Sequence, residues 1–350
     1  MVMTKEDFIV IDGSYGEGGG QIVRTSLSLA MITGQPVKLV NIRRGRKKPG
    51  LRPQHLTAVQ ACGAVCKANI SGAELGGREL SFIPGTIRAG NYEFKIGTAG
   101  AATLVLQAIL PPLAKTEGES SLVVTGGTHV PWSPPFHYLA EVFLPTIYRL
   151  GNASEASLIR WGWYPKGGGA IKVNVQPQSH TDQAFLDLPF EPKNIAGISA
   201  SSHLPEHIRI RQKRQLQARL QGIGLEAEIE LMDVPALNPG SFIFVRVQGS
   251  GPVVGFSALG ARGKPAERVA DEAADALLHF LDSGATLDHH LADQVLIYLA
   301  TIPGEYRFVT SGITKHLLTN AWVIEQFLPV RFEIVGGLGE PGTVVKRDGQ

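Results

Sequence analysis

Cysteine is nearly absent from this chain of 350 residues: only Cys62 and Cys66 occur. They stand four apart on a predicted helix, where a disulfide is disfavoured, and no second pair completes a zinc spacing. They are expected to be small core residues in a reducing compartment. No apolar run reaches the ~18 residues that a membrane span needs. Acidic residues interrupt the opening MVMTKEDFIVIDGS before a signal-peptide pattern can form. A cytoplasmic protein with no membrane contact is therefore expected. An excess of one charge is missing too. Lys and Arg number 33 against 31 Asp and Glu, so no global nucleic-acid field is implied. The chain also has no GxxxxGK[ST] phosphate loop, no obvious carboxylate pair and no Ser/His/Asp pattern, which leaves those chemistries unsupported.

What charge there is comes in clusters. Arg43, Arg44, Arg46, Lys47, Lys48 and Arg52 fall within ten residues, and Arg209, Arg211, Lys213, Arg214 and Arg219 within eleven. The composition is otherwise that of a globular protein, 43% apolar and 18% charged, and the length suggests more than one folding unit.

Residues 8–11 predict a strand, followed by GSYGEGGGQ and a helix over 22–33. Strand, glycine loop and helix N-terminus have the layout of a phosphate cradle. Glu17 is the odd residue there, since a carboxylate repels a bare phosphate. It reads either as a solvated loop residue or as a ligand to a metal ion that carries the phosphate, because Mg²⁺ is usually held by one or two carboxylates plus phosphate oxygens. A strand at 37–42 then runs into the basic loop RRGRKKPGLRPQH, a candidate polyanion contact.

A helix over 54–67 and strands near 69–75 and 79–83 complete a first α/β unit. The order helix, strand, helix, strand, strand recurs at 101–175 and again at 287–346, including helices over 136–150 and 314–328. Three units of one layout suggest an internally repeated domain. Residues 185–281 have strands and two helices of their own and read as a small α/β domain inserted in a loop. The predicted division is 1–184 and 282–350 for the large domain, with 185–281 as the insert.

The stretch SGITKHLLTN opens a helix whose apolar stripe is Leu317, Ala321, Ile324 and Leu328. Ser311 or Thr314 can cap it, and His316 falls in its first turn, off the stripe. A helix N-terminus attracts phosphate and disfavours a charged imidazolium, so His316 reads either as a surface histidine or as a nucleophile facing a bound triphosphate. Gln107 is the one strongly polar residue in an apolar helix. His289, His290, Asp293 and Gln294 share a polar helix face; His289 and Asp293 at i,i+4 could hold a metal, although a solvated face fits as well.

Taken in order, GSYGEGGGQIVR, RRGRKKPGLRPQH, GGTHVPWSPP, HLADQ and TKHLLTN resemble the motifs of the RNA 3′-terminal phosphate cyclases, over essentially the whole chain. The resemblance implies an α/β fold of three repeated units, each with two helices on a four-stranded sheet, plus an inserted thioredoxin-like domain. It implies ATP and Mg²⁺ or Mn²⁺ as cofactors and, as partner, an RNA with a 3′-terminal phosphate. By match to the motifs, His316 is the nucleophile that takes AMP and Glu17 the metal ligand. Arg24, Arg43, Arg46, Gln54 and His55 surround the phosphates. Gln107 and the run His290, Leu291, Ala292, Asp293 and Gln294 line the ATP pocket, with Pro134 and Tyr138 flanking adenine. His290 departs from the tyrosine common in the family, which predicts weaker stacking or an altered nucleotide preference. Cyclase-like proteins that act as non-catalytic ribosome-assembly factors lack the nucleophilic histidine; His316 together with Glu17 argues against that alternative.

Overall fold

The structure is a computed structural model that describes residues 8–178, 184–188 and 190–349. The first sheet contains β1 (Ile9–Asp12), β2 (Val37–Val40), β3 (Asn69–Ser71) and β4 (Leu80–Ile83), in the order β1-β2-β4-β3. β1 and β2 are parallel and the other pairs antiparallel. A parallel pair needs a crossover, and α1 (Gly20–Thr33) supplies it; α2 (Pro53–Cys66) links β2 to β3. β5 (Asn91–Lys95), β6 (Ser120–Gly126), β7 (Ser154–Arg160) and β8 (Gly169–Val175) repeat that order and those senses as β5-β6-β8-β7, with α3 (Ala102–Leu113) as the crossover.

The sequence predicts no strand over β5. Its Asn91, Glu93 and Lys95 are exposed and it lies at a sheet edge, so it lacks the apolar alternation of an inner strand. The helix expected over 136–150 is interrupted. A π-turn, Leu139–Phe143, separates α4 (Phe136–Tyr138) from α5 (Leu144–Arg149). Pro145, at the start of α5, has no N–H and crowds the carbonyl four residues back, which a widened turn relieves.

A third sheet, β10-β9-β11-β12, is built from β9 (Pro192–Ser202), β10 (Glu228–Asp233), β11 (Gly240–Gly249) and β12 (Val254–Leu259). On β11, Ile243, Val245 and Val247 face a separate small core closed by α6 (Glu206–Gln221) and α7 (Ala266–Asp282). Phe242 and Phe244, on the opposite face, join the main core. Burial on both faces accounts for the unbroken apolar run of this strand.

After α8 (His289–Ala300), the last sheet contains β13 (Tyr306–Thr310), β14 (Val330–Val335) and β15 (Gly342–Asp348), with α9 (Lys315–Glu325) between β13 and β14. Here the expectation of four strands fails: the order is β13-β15-β14, all antiparallel. A single parallel bridge, Leu287 to Thr310, stands where a fourth strand would lie. The next residue, Asp288, caps α8 by accepting from the N–H groups of His290 and Leu291, so the chain turns into a helix before a ladder can grow.

α1 is the hub of the main layer of helices, packing on α2, α3 and α9, while α8 packs on α9. Cys62 and Cys66 are buried and free, as expected of core residues. Among the described residues no helix is long and apolar enough to cross a membrane.

Candidate active site

Thr314 caps α9, its hydroxyl accepting from Leu317 N at 3.0 Å, and Leu317 and Ile324 anchor the helix in the core. Ser311, the other candidate cap, accepts from His289 N instead. His316 is thereby held in the first turn with its side chain 46% exposed. The glycine loop lies directly against this turn. Gly16 has φ of 55°, and a Cβ there would come within 2.3 Å of Thr319 Oγ1. A Cβ at Gly20 would come within 2.2 Å of His55 Nε2. Only glycine permits both approaches.

His316 is fixed from two sides. Its Nδ1 meets Gln21 Oε1 in a short contact. Gln21 Nε2 donates to Asp293 Oδ2 at 3.4 Å, which sets the amide so that its oxygen faces the ring. Gln21 thus engages Nδ1, and Nε2 is the nitrogen that faces Glu17. Glu17 Oε2 lies 2.5 Å from Nε2. The other Glu17 oxygen pairs with Arg46, and Glu17 N donates to Thr319 Oγ1 at 3.2 Å. Burial raises the Glu17 pKa, but His316 and Arg46 more than offset it, so the carboxyl is held below its usual range.

Asp293 is the opposite case. Burial pushes its carboxyl up to about 7, against the pull of His316 and Arg24. Its carbonyl accepts from Asn320 Nδ2 at 2.6 Å, and Asn320 Oδ1 accepts from Thr25 at 2.7 Å. α1, α8 and α9 are thus tied together around the histidine.

Positive charge gathers next to this centre. Burial lowers Arg24 to about 10, with Asp293 and Glu17 opposing. His55 is 4% exposed and is driven down to about 3, by burial first and then by Arg24, Arg43 and Arg52. Its neutral Nδ1 accepts from Arg52 N at 3.1 Å. Arg43, in a left-handed conformation with φ of 54°, donates to the carbonyls of Lys48 and Gly50 and so folds the basic loop onto itself. Gln54 Oε1 accepts from Ala101 N at 3.0 Å, just ahead of α3.

The remaining predicted residues lie on and beside α3, α4 and α8. Gln107 Nε2 donates to Gln294 Oε1 at 2.5 Å, and Gln294 donates to His290 O at 2.6 Å. Tyr138 is buried, its hydroxyl donating to Asp288 at 2.9 Å, and the His290 ring stands edge-on to it with centroids 6.5 Å apart. The Pro134 carbonyl accepts from Thr103 at 2.8 Å. Leu291 and Ala292 are fully buried, so their side chains belong to the core. Three contributors escape sequence reasoning: Gln21, Asp288 and Arg52 in its role beside His55. Gln21 had a usable signal, since it is the polar residue that opens the helix after the glycine run.

No group of three or more His, Cys, Asp or Glu among the described residues can hold a metal by itself. Glu17 Oε2 is nevertheless buried without a well-aligned donor. One carboxylate of that kind fits an ion whose other ligands come from phosphate and water.

The sequence profile of the family described as RNA 3′-terminal phosphate cyclase matches residues 15–334. An RNA 3′-terminal phosphate cyclase of Methylococcus capsulatus is 47% identical over 345 residues, covering 96% of this chain and 95% of the relative. Those of Pyrococcus furiosus and Nostoc punctiforme are 44% and 43% identical, over 96% and 91% of this chain and 98% and 94% of their own. The chain is an enzyme that belongs to the RNA 3′-terminal phosphate cyclase family.

Proposed function

We propose that the protein converts an RNA 3′-terminal phosphate to a 2′,3′-cyclic phosphate, using ATP and a covalent His316–AMP intermediate. The observation that carries the reading is His316 itself: half-exposed, its Nδ1 fixed by Gln21, and Nε2 directed toward Glu17, with the partly buried Arg24 and Arg46 close by. In the first step Nε2 attacks the α-phosphorus of ATP, a P–N bond forms and pyrophosphate leaves. In the second, an oxygen of the RNA 3′-phosphate attacks that phosphorus and His316 departs, leaving RNA(3′)pp(5′)A. In the third, the adjacent 2′-OH attacks the RNA phosphorus, loses its proton and expels AMP. Arg24 and Arg46 offset phosphate charge during the displacements. Glu17, together with phosphate oxygens, would hold Mg²⁺ or Mn²⁺, which neutralises phosphate charge when bound. Gln107, Gln294, His290, Pro134 and Tyr138 would together take the adenosine.

The first two sheets, which share one strand order, and the three-stranded last sheet are, in this reading, copies of one unit. Residues 1–184 and 282–350 form the cyclase core, and 185–281 an inserted thioredoxin-like domain. The separate small core of the third sheet supports that division.

The third step is the most specific test. Closure by a neighbouring hydroxyl draws on intramolecular effective molarities of about 10⁵–10⁸ M. An oligonucleotide ending in a 2′-deoxy 3′-phosphate is expected to accumulate the pp(5′)A adduct, whereas a ribose end runs through to the cyclic phosphate. Absence of adduct on the deoxy end, with His316–AMP formed and the oligonucleotide bound, would contradict the scheme.

A further inference from the structure

The glycine loop carries a feature that the reaction above does not use. Tyr15, 45% exposed, stacks on Trp322 of α9 with ring centroids 3.9 Å apart and planes 18° from parallel. Single exposed apolar side chains are ordinary; a stacked aromatic pair at the surface beside a nucleophile is not. The pair is held firmly, because the two residues after Tyr15 are pinned to α9. Gly16 closes on Thr319, and Glu17 N donates to the Thr319 hydroxyl. Trp322 covers one face of the tyrosine ring, and Tyr15 is still 45% exposed.

The surroundings indicate what this ledge takes. On α9, Lys315, Leu318 and Trp322 recur at i, i+3 and i+7, so they form one stripe beginning next to His316. Leu318 is 42% exposed, and Lys315 is exposed with no carboxylate partner among the described residues. On the other side the basic loop reaches the same rim, since Arg43 N donates to Gly13 O. Arg44 is exposed there, near Asp12, whose carboxylate already accepts from Ser14. An exposed aromatic ring between cations is the combination that binds single-stranded nucleic acid: bases stack and phosphates meet positive charge.

We propose that the Tyr15–Trp322 ledge is a stacking platform for a base of the single-stranded RNA just upstream of the terminal phosphate, with Lys315 and Arg44 meeting the flanking phosphates. This inference rests on the cyclase reading and adds a substrate-positioning surface to it. The ledge would favour ends whose last nucleotides are unpaired, because a base in a duplex cannot offer its face.

The test uses the full chain and 3′-phosphorylated oligonucleotides carrying 2-aminopurine, or an abasic site, at successive positions near the end. With wild type, one 2-aminopurine position is expected to be quenched on binding, and an abasic site there to lower kcat/KM by about tenfold, the scale of one base–aromatic stack. Tyr15→Ala should lose both the quenching and the abasic penalty; Tyr15→Phe, which keeps the ring, should retain both. The proposal is overturned if no position is quenched in wild type, or if Tyr15→Ala pays the same abasic penalty as wild type. It is also overturned if the ledge proves to bind a protein and leaves RNA turnover insensitive to abasic sites. Formation of enzyme–AMP with ATP alone reports on the cyclase reading separately. Wild type that self-adenylylates and turns over RNA without an abasic penalty sinks the ledge and leaves the cyclase reading standing.

Discussion

The loop 43–52 and helix α6 carry similar densities of arginine and lysine, yet their partners differ. On α6, Arg211 donates to both oxygens of Glu267 at 2.6 Å, and Arg219 meets Asp271 and Asp275 at 3.0 and 2.7 Å. Arg209 lies within 4 Å of both Glu206 and Asp233. These charges fasten α6 to α7 and to its own sheet. In the loop, among the described residues, only Arg46 reaches a carboxylate, that of Glu17. Its other cations make no ion pair within 4 Å among the described residues, although Asp12 lies near Arg44. Counter-charge, and not the density of basic residues, separates an anion site from a solvated helix face.

The largest expected effect would break that contrast if it failed. Neutralising Arg44, Lys47 and Lys48 together to glutamine should weaken RNA binding by roughly 10- to 100-fold at low salt, and should reduce the log–log salt slope by about 2. Neutralising Arg211 and Arg219 on α6, whose charges are already paired, should leave the slope unchanged. Binding curves at several salt concentrations decide this; a larger loss of slope from α6 would invert the comparison.

Glu17→Ala sharpens it from the other side, by removing the loop's one carboxylate. If Glu17 holds the metal, enzyme–AMP formation should slow by roughly tenfold or more, and the divalent-ion concentration needed should rise. Metal titrations that superimpose with those of wild type would end that assignment.

A smaller effect concerns the cations crowding His55. Its folded pKa is depressed from 6.5 to about 3. Its contribution to stability is therefore complete above 6.5 and is lost as pH falls from there toward 3, because the unfolded chain binds the proton first. Thermal unfolding from pH 7 down to pH 4 should show wild type losing stability more steeply than His55→Asn. Parallel curves would place the shift elsewhere. Smallest of all, Arg219→Gln should lower Tm by at most a few degrees and leave RNA binding intact, as expected of exposed ion pairs.

The long helices were legible because their apolar stripes and a cap such as Thr314 are local signals. β5 was not, because an edge strand with Asn91, Glu93 and Lys95 outward resembles a loop. The missing fourth strand of the last sheet depended on where α8 is capped, which outweighed the pattern of the two earlier sheets. At the site, His316, Glu17 and Arg46 stand out in the sequence as polar residues in unusual company, and the fold brings them together. The basic loop's position beside the glycine loop already ranked it above α6 as the polyanion contact, but the partner of Gln21 and the ion pairs of α6 were hidden for a shared reason. Each depends on a partner far away in the chain, Asp293 for Gln21 and the α7 carboxylates for α6.

The central claim is that His316 Nε2 becomes covalently bonded to AMP. Intact-mass measurement after incubation with ATP and Mg²⁺, with peptide mapping of the adduct, tests it directly. Wild type should gain one AMP, located on His316. His316→Ala, with an unchanged unfolding transition because the side chain lies off the apolar stripe, should gain none. AMP on a folded His316→Ala protein at the wild-type rate, or no adduct on wild type at all, would contradict the account.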